Sequence, residues 1–206
     1  MLCPIALKKR ELLELLAFVS FSTCSSGIMN YMMKSDGSFY RILIAPIKRS
    51  SIVLGQLLEA VLCAFLEVGI MGCVSLFFHV RLATGITGFF LILILVFLTA
   101  FFMAGLAYGV SLILPNEGIY ETVMNAIVLP VFFLSTALFP ADGIRGILRI
   151  AININPFTHV INVLRDLILY GTVNTNSTVF VFMLFILMGS ISFIWALHGL
   201  KKELSL

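Results

Sequence analysis

The chain has 206 residues, 61% of them hydrophobic and 11% charged, with a net charge of +3 and a mean hydropathy of +1.13. A soluble domain needs far more polar surface than this, and so small a net charge implies no nucleic-acid partner. Apolar runs of about 20 residues recur, long enough to span a bilayer as helices and too continuous for barrel strands, so the fold class is all-α and polytopic, in contact with lipid throughout.

Five spans are expected, in a single domain over residues 1–206. The first, Leu12 to Met33, is the weakest, diluted by Ser20, Ser22, Thr23, Ser25, Ser26 and Asn30. Lys8-Lys9-Arg10 precede it as in a signal anchor, but no cleavage site follows, so it is read as retained. A compact basic stretch, FYRILIAPIKRSS, then separates it from the second span, Ile52 to Phe78. Ser38 is placed to cap a short helix there, Pro46 to help end it, and Ser50 or Ser51 to cap the following span. The third span, Gly88 to Leu114, is almost purely apolar, and Gly105 and Gly109 form a GxxxG pair suited to close packing, either inside the bundle or across a dimer. The fourth, Ile119 to Phe139, contains Pro130, and the fifth, Val179 to Leu197, is closed by Lys201-Lys202.

Between the fourth and fifth lie two amphipathic helices, about residues 141–170, suited to a membrane surface or a shallow re-entrant hairpin. Asp142 is placed to cap the first, with Ile144, Ile147, Leu148 and Ala151 on one face. Asn155-Pro156 reads as N-cap and first-turn proline of the second. Its stripe is Phe157, Val160, Ile161, Leu164, Leu167 and Ile168, with His159, Asn162, Arg165 and Asp166 off it.

Charge does not orient five spans. With the basic stretch inside, Lys34, Arg41, Lys48, Arg49, Lys201 and Lys202 face Lys8, Lys9, Arg10, Arg81, Arg145, Arg149 and Arg165, six against seven. If the first segment enters and returns, three residues change side and the count is nine against four.

Glu59 and Glu67 interrupt the second span. A carboxylate inside a membrane is costly on any scale, so each needs a partner, a proton or a pathway role; Glu59 lies near enough to one end to snorkel. The four cysteines, Cys3, Cys24, Cys63 and Cys73, have no CxxC or zinc spacing and read as small buried hydrophobes. The histidines show no ligand spacing, and no cofactor is implied. GxxxxGK[ST], HExxH and GxSxG are all absent, so the chain is not expected to be an enzyme or to bind ATP by a P-loop.

Two stretches carry a resemblance: KSDGSFYRILIAPIKRSSIVLGQLLEA, and VLPVFFLSTALFPADGIRGILRIAININPFTHVINVLRDLIL. In this order they resemble the permease subunits of type-2 ABC transporters, the drug and polysaccharide exporters. Those show an acidic-Gly turn, a short helix, Leu-x-x-x-Pro, a basic residue and a span, then Ser-Gly-x-x-Phe-Pro, an amphipathic helix, Asn-Pro-x-Thr and an Arg. The matching positions here are Ser135, Phe139, Pro140, Asn155, Pro156, Thr158 and Arg165. The chain departs in lacking Asp-Arg-Glu before the turn and in having Thr136 where Gly is usual.

The resemblance implies a non-catalytic permease in the plasma (bacterial inner) membrane, paired with a separate ATPase that binds the ATP. It also implies a homodimer or a heterodimer with another permease. The basic stretch, about residues 38–49, becomes a cytoplasmic coupling helix carried by Phe39, Arg41, Leu43, Pro46, Lys48 and Arg49, and the amphipathic pair becomes extracellular. Family members have six spans and this chain aligns from just before the second, which accounts for the charge count. The expected activity is efflux of an amphipathic drug-like molecule, peptide or lipid-linked glycan. The alternatives are a proton-coupled secondary transporter using Glu67 and a truncated, non-transporting relative.

Overall fold

The structure is a computed structural model that describes residues 23, 27–33, 36, 37, 39, 41, 48–77, 85–134, 146–167 and 174–203. Its helices are α1 (Arg49–Phe77), α2 (Gly85–Ile113), α3 (Glu117–Phe133), α4 (Ile147–Ile154), α5 (Pro156–Arg165) and α6 (Thr175–Glu203). No strand occurs among the described residues, as an all-α membrane protein requires. Among the described residues three helices are long and apolar enough to cross a membrane, over Arg49–Cys73, Gly85–Ile113 and Thr175–Lys201. The chain is a multi-pass membrane protein.

α2 is the centre. It has no polar face, and half of its apolar window is buried inside the bundle. Gly85 opens it at φ 63°, a left-handed conformation natural to glycine. Thr99 hides its hydroxyl by donating to the carbonyls of Leu95 at 2.8 Å and Val96 at 3.0 Å, which satisfies a polar group where no water is available. Pro115 follows the helix, and Asn116 begins the next: its Oδ1 accepts from the Ile119 amide at 3.0 Å, and Glu117 lies in the first turn of α3. Both features suit a helix N-terminus.

The interior divides into two clusters. In one, Leu95, Val96, Phe102 and Met103 of α2 meet Val61 and Ala64 of α1, Val160, Ile161 and Leu164 of α5, and Phe185 of α6. In the other, Val53 and Leu57 of α1, Ala104, Tyr108 and Leu112 of α2, and Ala196 and Leu200 of α6 close around Phe39. In lipid there is little hydrophobic drive between helices, so fit and interhelical hydrogen bonds decide association. Residues 27–33 supply both. Buried Asn30 donates to Ser111 Oγ at 2.9 Å, Ser111 donates on to the Tyr108 carbonyl at 2.7 Å, and the Tyr31 hydroxyl donates to the Leu114 carbonyl at 3.1 Å. Asn30→Leu should lower stability by about 1 kcal/mol, the usual worth of a membrane interhelical hydrogen bond; a thermal midpoint equal to wild type in detergent would contradict this.

Several expectations change. The span expected over Ile119–Phe139 is a helix over Glu117–Phe133 that runs through Pro130 and meets a turn at Leu134. The span expected to start with Ser50 or Ser51 as cap starts at Arg49, because the Ser51 amide already bonds the Lys48 carbonyl at 2.9 Å. Neither serine is the cap, and Arg49 is the first residue of α1. The first amphipathic helix starts at Ile147 behind Gly146, at φ 81° and with no side-chain cap; Asp142 lies outside the described residues. Cys63 and Cys73 are exposed on α1 rather than buried, since the outward face of a membrane helix is apolar too.

Candidate functional site

The basic stretch begins with a turn. The Asp36 amide bonds the Met32 carbonyl at 3.0 Å, and Gly37 sits at φ 72°, where any other L-residue would be strained. Phe39 is 3% exposed and packs among Val53, Leu57, Tyr108 and Leu200. Phe39 thus ties this part of the chain to the bundle. Arg41, Lys48 and Arg49 are exposed. Leu43 and Pro46 lie outside the described residues. Lys48 precedes α1 and Arg49 begins it, with no acidic residue in the first turn. The helix dipole disfavours cations at that end by about 0.3–1 kcal/mol each, so these two charges do not serve the helix that bears them.

On the same helix Glu59 is exposed and Glu67 half-buried. The rise from Arg49 to Glu67 is about 27 Å at 1.5 Å per residue, past the middle of the apolar span Arg49–Cys73. Glu67 Oε2 is buried without a hydrogen-bond partner among the described residues.

Away from the Phe39 end lie α4 and α5. Asn155 joins three elements. Its Oδ1 accepts from the Phe157 amide at 3.0 Å, capping α5, and Pro156 takes the first helical position. Its Nδ2 donates to the carbonyls of Val131 at 2.6 Å and Leu134 at 3.3 Å, at the end of α3 where helix carbonyls call for partners outside the helix. The cap was legible from Asn-Pro. The second role was not, since its acceptors are more than twenty residues away in sequence. Thr158 is buried with its hydroxyl unpartnered among the described residues, and Arg165 lies half-buried in the last turn of α5. Phe157 and Phe102 each meet Phe185 edge-on, at 5.8 and 5.9 Å, fixing α5 against α2 and α6. The His159 ring bonds the Asn153 carbonyl at 3.0 Å and packs on Phe180 at 5.7 Å, so it is held locally.

Gly105 and Gly109 face α6. A Cβ on Gly105 would stand 2.5 Å from Ser192 Oγ, and one on Gly109 would enter the Trp195 ring. Ser192 in turn donates to the Phe102 carbonyl at 3.2 Å. Among the described residues the basic surface and the Asn155 joint are thus separate sites. Phe39 packs at Leu200 of α6 and Phe157 at Phe185, fifteen residues or about 22 Å along one helix. Sequence reading passed over Asn30 and Ser111; the available signal was an amide in an apolar segment, which must find a partner.

The sequence matches the family described as ABC-2 type transporter over residues 12–169. It is also similar to a protein of Cyanophora paradoxa provisionally named transport permease ycf38, 26% identical over 172 residues, which make up 81% of this chain and 58% of that protein. The chain therefore spans little more than half of that relative's length. No solved structure matches it. The family match covers most of the sequence and takes in both the basic stretch and the Asn155 joint, and the chain belongs to the ABC-2 type transporter family.

Proposed function

We propose that the chain is the membrane-spanning permease subunit of an ATP-driven exporter, working as a dimer in a bacterial inner membrane with a separate ATPase subunit. Its cargo class is an amphipathic drug-like molecule, peptide or lipid-linked glycan. The permease performs no bond chemistry; ATP binding and hydrolysis belong to the partner. The observation that carries the reading is the buried Phe39 beside exposed Arg41, Lys48 and Arg49. An apolar anchor fixes the stretch to the bundle, and three cations on its open side, two of them opposing their own helix dipole, suit an acidic partner surface. Because α1 continues directly from Lys48 and Arg49, a displacement of that surface reaches the membrane as movement of one helix. The family match and the transport permease from Cyanophora paradoxa support the same reading.

The test is affinity purification in mild detergent, comparing wild type with an Arg41→Glu, Arg49→Glu double variant. Wild type should bring down a near-stoichiometric P-loop ATPase, and the variant should lose at least about ten-fold of it, as reversing two interfacial charges implies. An intact, folded chain with no ATPase would overturn the exporter reading. It would favour the competing reading, in which Glu67 carries a proton and flux follows a gradient.

A further inference from the structure

We propose that α3 is a linkage through which the placement of residues 27–33, beside the basic stretch, sets the posture of the α4–α5 pair at the other end of the bundle. α3 is gripped near its two ends. At its start the Tyr120 ring is buried and lies against residues 27–33: the Tyr31 ring packs on it at 5.7 Å, and a Cβ on Gly27 would collide with its hydroxyl. At its finish Asn155 Nδ2 donates to the carbonyls of Val131 and Leu134. Tyr120 and Val131 are eleven residues apart, about 16 Å along the helix.

Between these joints α3 turns a single line of side chains inward. Tyr120, Met124 and Val128, spaced four residues apart, are buried, whereas Glu121, Thr122, Asn125, Ala126 and Leu129 are exposed, and the seam with α2 is short. A helix packed along one line can shift or rock as a rigid body. Pro130 has no amide to give to the helix ladder, so the last turn of α3 depends on Asn155 for its position. The other joint leads to the basic stretch. Residues 27–33 are helical and pass, through the turn in which the Asp36 amide bonds the Met32 carbonyl, to Phe39 and Arg41. The hydrogen bonds of Asn30 to Ser111 and of Tyr31 to Leu114 set the resting position of this joint. A displacement there presses on Tyr120, α3 carries it as a rod, and Asn155, whose Oδ1 caps α5, passes it to α5. The route is distinct from α1 and does not require that the basic stretch meet an ATPase.

A contiguous route has to be shown by the coupling of its two ends, and hydrogen–deuterium exchange of the purified full chain in lipid nanodiscs measures this without partner or substrate. Tyr31→Leu, which takes the ring off Tyr120, should speed exchange across residues 150–165 at least about five-fold, the lower end of ordinary coupling between sites. The amides of α1 should stay within about two-fold, whereas a general loss of stability would loosen them equally. Gly27→Ala, which crowds the Tyr120 ring instead of freeing it, should give the same pattern. In an Asn155→Ser background, which keeps the cap and loses the bonds to α3, adding Tyr31→Leu should change residues 150–165 by less than about two-fold. Coupling is reciprocal, so Asn155→Ser alone should speed exchange at residues 27–33 by a similar factor, a reading that holds even where the Tyr31 and Gly27 variants do not fold. The proposal is overturned if residues 150–165 exchange as in wild type in the folded variants, if α1 loosens as much as they do, if the Tyr31→Leu effect survives in the Asn155→Ser background, or if Asn155→Ser leaves residues 27–33 unchanged.

Discussion

Asn155→Ala should destabilise the chain by roughly 2–4 kcal/mol, the sum of a lost N-cap and two lost hydrogen bonds to carbonyls at the end of α3. The side chain accepts from the Phe157 amide and donates to Val131 and Leu134, so alanine cuts α5 from its cap and α3 from its terminus at once. Asn155→Ser separates the contributions. Its hydroxyl restores the cap but is too short to reach back to α3, so it should recover only about 1 kcal/mol. Thermal unfolding in detergent should show the alanine variant melting about 10 °C below wild type, with serine between them. An alanine midpoint within about 2 °C of wild type would show that water serves these groups as well as Asn155 does.

Gly105→Leu should be comparably damaging, for a steric reason. A Cβ there meets Ser192 Oγ at 2.5 Å and Ser192 Cβ at 3.2 Å, with the Ser192 backbone carbon at 3.5 Å. A hydroxyl can rotate away; a backbone cannot. Overpacking costs about 1–3 kcal/mol and more when a helix must move, against which leaving glycine regains about 1 kcal/mol of helix propensity. Gly105→Ala should thus be close to neutral or mildly destabilising, and Gly105→Leu clearly destabilising. Gly55→Ala is the control: nothing lies within 4 Å of its Cβ, so only the propensity gain remains and the midpoint should rise. Trp195, the only tryptophan in the chain, packs one turn away against Gly109, and its emission should shift in Gly105→Leu and not in Gly55→Ala. Equal midpoints for Gly105→Leu and wild type would mean that α2 and α6 do not approach this closely.

Features whose cause is local could be read from residues alone. The long apolar runs became α1, α2 and α6, and Asn155-Pro156 became the start of α5, because length and cap chemistry act within one turn or one segment. Three features escaped because their cause lies elsewhere in the chain. Phe39 next to Arg41 gives no hint of which way the ring turns; its burial depends on Val53, Tyr108 and Leu200. Cys63 is exposed and Ala64 buried, yet both are small and apolar, and in a membrane neither face of a helix is marked by polarity. Glu67 was conspicuous as a charge, but the buried, unpartnered position of Oε2 is a property of the packed helices. The start of α1 at Arg49 rather than at a serine turned on a single hydrogen bond to Lys48.

The contact of α2 with α6 also bears on how the molecule deforms. Two helices notched at Gly105 and Gly109, almost backbone to side-chain root, cannot slide past each other without first separating, so the pair behaves as a stator. Shear is easier where contact is less extensive, and α1 meets α6 over a much shorter seam. A pull on Lys48 and Arg49 would therefore tilt α1 against a fixed pair. Pivoting near the Phe39 anchor, that tilt would grow with distance along the helix, so Glu67, about 27 Å from the basic end, would be carried further than Glu59 and change its depth in the membrane.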